Sequence, residues 1–70
     1  MDKKELEYLV RERDECIERL QQARSNIQRL RSLRVRTQAQ ERELLAAQKV
    51  VADEPAQIAM FDARLAATVH

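Results

Sequence analysis

The chain contains no glycine among its 70 residues, and only one proline, one cysteine and one histidine. Loops that cradle phosphates need glycine, because only glycine lets the backbone amides approach the phosphates closely, so nucleotide binding by such a loop is excluded. One cysteine allows no internal disulfide, and with one histidine the usual soft-ligand metal sites cannot be assembled within one chain. The sequence therefore predicts no metal and no cofactor.

Long apolar runs are also missing. No stretch approaches the roughly 20 apolar residues that span a bilayer, and the N-terminal MDKKELEYL lacks the apolar core of a signal peptide. The lone unpaired cysteine is typical of a reducing compartment. We therefore expect no membrane partner and a cytoplasmic location.

Groups that could perform catalysis are sparse. A nucleophile and base would require Cys16 and His70 together, but Cys16 lies on an apolar stripe and His70 is the last residue. Carboxylate pairs such as Glu41 and Glu43 are explained by an exposed helix surface. The sequence predicts that the protein is not an enzyme.

What is present favours helix throughout: leucine, alanine, glutamate, glutamine and arginine are abundant. An apolar stripe follows a seven-residue period, and Val10 and Ile17 widen it. A chain this short buries too little surface to be stable alone, so we expect an all-α homodimer, a coiled coil or helical bundle. The dimer interface is predicted to consist of Leu6, Leu9, Cys16, Leu20, Ile27 and Leu30.

The helix boundaries follow from capping signals within a single domain, 1–70. Without glycine or proline between Asp2 and Glu54, one long helix over about 3–52 is favoured, and a break near 33–37 is the alternative. Thr37 followed by Gln40 has the form of a capping box at such a break.

A second, short helix over about 54–67 is predicted to start at ADEP. Asp53 and Glu54 suit the positive end of a helix, and Pro55 suits its first turn. Ile58, Phe61 and Leu65 recur at helical spacing, and we expect this face to fold back on Leu44, Ala47 and Val51.

The stretch 19–40 carries six arginines and no acid, although the net charge of the chain is only +1. One interpretation is structural: acidic and basic blocks would pair across an antiparallel dimer centred near Arg19. The other is functional. Arg29 and Arg36 lie nearly opposite the apolar stripe and have no acid three or four residues away, which leaves them free for an external anion.

No aromatic residue lies within this stretch, so stacking on unpaired bases is not available. Arginine on a helix suits the backbone of a duplex, and double-stranded RNA is recognised largely by shape through phosphate and 2′-hydroxyl contacts. The sequence thus predicts sequence-independent binding of duplex nucleic acid, with RNA preferred. The predicted binding residues are Arg24, Arg29, Arg31, Arg34 and Arg36, with Arg42 at the edge.

The order of parts resembles a known family. An amphipathic helical segment, an arginine-bearing helix that ends in LLAAQKVVADEP, and the short helix QIAMFDARL resemble the small dimeric RNA-silencing suppressors of nodaviruses. The resemblance implies an all-helical dimer that binds double-stranded RNA along one face, shields it from processing nucleases and acts in the host cytoplasm. The alternative is a protein-binding module, such as a phage regulator or small secretion chaperone, whose groove accepts a partner helix.

Overall fold

The computed structural model describes residues 2–67 as two helices joined by a short loop. Helix α1 spans Lys3–Arg31 and helix α2 spans Gln38–Ala66. They pack antiparallel as a hairpin of 52 × 17 × 15 Å. The predicted all-α class is confirmed, since the described residues contain no strand.

The single long helix over 3–52 is wrong, and the break near 33–37 is what the structure contains. Thr37 is the N-cap of α2 and forms both bonds of the capping box. The Gln40 amide donates to Thr37 Oγ1 at 3.1 Å, and the Thr37 amide donates to Gln40 Oε1 at 2.9 Å. Two of the amide donors left unpaired by the chain reversal are thereby satisfied.

The turn contains no left-handed residue: all described residues have negative φ angles. At the end of α1, Arg36 Nη1 donates to the carbonyl oxygen of Leu30 at 3.2 Å. The Ser32 amide donates to the carbonyl of Gln28 at 3.2 Å. An arginine side chain thus provides one donor that a terminal glycine motif normally supplies from the backbone.

Replacing Thr37 with alanine should lower the free energy of unfolding by about 1 kcal/mol, because the side-chain half of the capping box is lost. Thermal or urea unfolding followed by circular dichroism measures the change. Thr37→Ser, which keeps the hydroxyl, is the control. Equal losses in both variants would show that the methyl group, and not the cap, determines the effect.

Pro55 lies inside α2, and the predicted helix start at this proline is wrong. An interior proline removes one backbone donor and costs about 3 kcal/mol. Beyond it, Ile58, Phe61 and Leu65 pack around Leu9 and Cys16 of α1. Burial of each large apolar side chain contributes about 1.5–3 kcal/mol, so the packing outweighs the cost and α2 continues through the proline.

The stripe predicted as the dimer interface is mostly the core of a single hairpin. Leu9, Cys16, Leu20 and Leu30 are buried within one chain, and Leu30 is fully buried. Because α2 folds back over these four residues within one chain, their contact with a second chain stays a prediction. Of the other predicted interface residues, Leu6 is 41% exposed and Ile27 is half-buried.

The C-terminal part of the chain also packs differently from the prediction. Phe61 belongs to a cluster with Leu9 and Cys16, near the start of α1, and not with Leu44, Ala47 and Val51. The reason is the continuous α2, which carries Phe61 away from Leu44 along the same helix.

Over the described part of the chain, neither helix is long and apolar enough to cross a membrane.

Candidate functional site

The hairpin gathers the arginines at its closed end. Residues 24–43, which we call the basic end, carry six arginines and two glutamates, a formal charge of +4. The opposite end is acidic: residues 2–18 have a net charge of −3, and residues 52–67 have a net charge of −2. A chain that is nearly neutral is therefore strongly polarised along its long axis.

Two of the predicted binding residues are not free. Arg29 Nη2 lies 2.8 Å from Glu43 Oε1, and Arg36 Nε lies 2.7 Å from Glu41 Oε1. The expectation that no acid neutralises these arginines is wrong, because the chain reversal brings α2 beside them. Neighbours along one helix could not reveal partners that lie across the turn. Since both pairs are accessible to solvent, although Arg36 is half-buried, each contributes only about 0–1 kcal/mol to stability.

The other four predicted binding residues have no hydrogen bond or ion pair within residues 2–67, and all four side chains are exposed. They are Arg24, Arg31, Arg34 and Arg42. Arg24 and Arg31 border a shallow depression with Ile27 and Val51, while Arg34 lies in the loop. Each guanidinium keeps five donors in a planar fork that matches phosphate oxygens.

The basic end therefore offers anions two kinds of arginine. The unpartnered side chains can bind phosphate without breaking an existing contact. Arg29 and Arg36 hold the turn together through Glu43, Glu41 and the Leu30 carbonyl, so binding through them requires exchange of a carboxylate for a phosphate. We assign these two arginines primarily to positioning the turn.

A polar cluster that the sequence did not predict lies near the middle of the hairpin. Arg19 Nε contacts Glu54 Oε1 at 3.3 Å, and Arg19 Nη2 lies 3.1 Å from Cys16 Sγ. Glu54 occupies a core-facing position of α2, where its Oε2 is buried without a hydrogen-bond partner. Sequence reasoning placed Glu54 at a helix start, and therefore missed this contact.

Burial, reinforced by the nearby Glu54 carboxylate, raises the pKa of the Cys16 thiol despite the opposing effect of Arg19. Cys16 is therefore protonated at neutral pH and is a poor nucleophile. Its suggested partner His70 lies outside the described residues. No group of three or more acidic, cysteine or histidine side chains within residues 2–67 could hold a metal ion.

The resemblance to nodavirus suppressors stays a prediction based on layout alone. Comparison of the chain with protein-family models, with curated proteins and with solved structures finds no match.

Proposed function

We propose that the protein binds duplex nucleic acid through its basic end, without regard to sequence and with double-stranded RNA preferred. The observation that carries this proposal is the set of exposed arginines at one end of the hairpin that have no partner among the described residues. Unpaired cations in such a cluster repel one another, and phosphates along a nucleic-acid backbone relieve that repulsion. The bound protein would by itself block the access of nucleases to the duplex.

The composition of the basic end supports a duplex over a single strand. Residues 24–43 include no aromatic side chain on which an unpaired base could stack. The two aromatic residues lie elsewhere: Phe61 is in the core, and Tyr8 is near the acidic end. Between the arginines, Ser25, Asn26 and Gln28 provide short polar groups suited to phosphate oxygens and ribose hydroxyls.

A protein partner is the second candidate, and exposed apolar residues favour it. Val35 is 85% exposed in the loop, and Leu45 is 64% exposed on α2. Both lie beside the arginines, so an acidic amphipathic helix would find apolar and cationic contacts together. Such binding would depend less on salt than phosphate binding does, because its apolar part is unaffected by counterions.

Gel-shift titration of the wild-type protein tests the proposal with duplex RNA, duplex DNA and single-stranded RNA of unrelated sequences. We expect duplex RNA to be retarded most. Four phosphate contacts would make the affinity fall roughly 100-fold between about 50 and 200 mM salt, since each contact releases condensed counterions. Absence of duplex binding at the lower salt concentration would refute nucleic-acid binding and favour the protein partner.

A further inference from the structure

One side of α1 remains uncovered by α2. Val10, Ile17, Arg24 and Arg31 follow one another at intervals of seven residues and therefore lie along one side of the helix. We call these four residues the flanking row. Val10 and Ile17 are half-buried, and Arg24 and Arg31 are exposed. The row is thus apolar toward the acidic end and cationic toward the turn.

At the acidic end, the row borders a shallow apolar depression. Leu6 and Val10 contribute its apolar surface, and its rim consists of four acidic residues and one arginine: Glu7, Asp14, Glu15, Glu18 and Arg11. Leu6 is 41% exposed, although it continues the apolar stripe that forms the core farther along α1. This part of the surface combines uncovered apolar groups with a border that is acidic on balance.

At the basic end, the row borders a second depression with the opposite charge. Ile27 and Val51 are half-buried there, beside Arg24, Arg31 and Gln48. Neither arginine has a hydrogen bond or ion pair among the described residues. The two depressions on this side of the molecule are therefore both apolar, and they carry complementary charges.

We propose that a second copy of the chain packs antiparallel on this side, through the flanking row. Arg24 and Asp14 each lie five residues from position 19, and Arg31 and Glu7 each lie twelve residues from it. A two-fold axis near Arg19 therefore places Arg24 beside Asp14 of the partner subunit and Arg31 beside Glu7 of the partner subunit. The same operation brings Val10 close to the partner's Ile27, so that apolar groups meet as well.

The exposed area of the hairpin is large enough for a second copy of the chain to bind. The chain exposes 5533 Å², whereas a compact monomer of 8.2 kDa would expose about 4,500 Å². The excess of about 1,000 Å² is close to the ~800 Å² that each partner buries in a standard protein interface. Pairing of two hairpins gives a four-helix bundle, in which the half-buried residues enter a second layer of core.

The other side of the hairpin does not offer the same match. Its surface depression near the middle is also apolar, through Val50 and alanines, but its charged residues are already paired within the chain: Arg19 with Glu54, and Glu43 with Arg29. Alanine is depleted at interfaces, and charges that are already paired within one chain offer little to a second chain. The side that carries the flanking row thus combines apolar surface with unpaired charges that complement those of a second chain.

Formation of this dimer does not depend on nucleic-acid binding. In the dimer, Arg24 and Arg31 would bind the partner's acids, so the phosphate contacts would come from Arg34 and Arg42 of both subunits. The two proposals are distinguished by Arg34 and Arg42, whose reversal should weaken RNA binding and leave the dimer intact.

A charge-exchange experiment tests the arrangement. Sedimentation equilibrium should show a wild-type dimer. Two variants, R24E/R31E and E7K/D14K, should each dissociate at least about tenfold more readily, because like charges then face each other at both ends of the dimer. An equimolar mixture of the two variants should restore a dimer of wild-type affinity, since both ends of the heterodimer again join opposite charges.

R34E/R42E provides the matched control, because it reverses two arginines of the same basic end away from the flanking row. Its dimer affinity should equal that of the wild type, and circular dichroism should show equal helix content in all variants. Val10→Asp adds a test that leaves the existing charges intact: it should weaken the dimer while the hairpin stays helical. A monomeric wild type, or variants that dimerise unchanged or are not rescued by mixing, would overturn the proposal.

Discussion

Replacing Arg34 and Arg42 together with glutamate is expected to lower the affinity for duplex RNA by about 100-fold or more. Both side chains are exposed and have no partner among the described residues, so the hairpin loses no contact. Reversal of two charges removes two phosphate contacts and adds repulsion of the same backbone. The loss should be alike for unrelated sequences, and the slope of log affinity against log salt should become shallower by about two units.

A matched variant separates local contacts from overall charge. Lys49→Glu with Arg64→Glu changes the net charge of the chain from +1 to −3, as R34E/R42E does. Both residues are exposed on α2, outside the basic end. This control should bind duplex RNA within a few-fold of the wild type. Equal losses in the two double variants would mean that binding responds to net charge and not to the basic end.

Phe61→Ala should lower the free energy of unfolding by about 3–5 kcal/mol, the usual effect of truncating a buried aromatic. Phe61 is 9% exposed and packs with Leu9, Cys16, Ile58 and Leu65. A chain of 70 residues has a total stability of only about 4–10 kcal/mol. The variant should therefore lose a large share of its stability, and α2 should fray first beyond Pro55, where the helix depends on this packing.

Urea unfolding and helix content by circular dichroism measure this effect at a fixed protein concentration. Met60→Ala, at the adjacent and 39% exposed position, is the control and should cost much less. If both variants unfolded like the wild type, the packing of Phe61 on α1 would contribute nothing, and the continuity of α2 through the proline would need another cause.

The sequence predicts the helical class and the location of the turn better than it predicts the choice between a hairpin and one long helix. The seven-residue period and the Thr37–Gln40 capping box are both local, and both are visible in the sequence. The absence of glycine favoured a continuous helix. That inference failed because the donor that completes the turn is the guanidinium of Arg36, whose contact with Leu30 exists only after the chain reverses.

The same limit applies to Pro55 and to the arginines. Local rules place proline at a helix start, but burial of Phe61 against α1 offsets its cost within the helix. Neighbours along one helix showed no acid near Arg29, whereas Glu43 is brought beside it by packing. The six arginines could be identified from the sequence; which of them remain without a partner depends on tertiary contacts.

The closed turn has a consequence for the order in which the molecule folds. Contacts between the helices span 14 residues at Arg29 and Glu43, but 49 residues at Arg13 and Asp62. Because the entropy lost on closing a loop grows with its length, pairing should begin beside the turn and proceed like a zipper toward the chain ends. The arginine cluster is then the first part to become ordered as the chain folds, and substitutions beside the turn should slow folding more than substitutions beside Asp62.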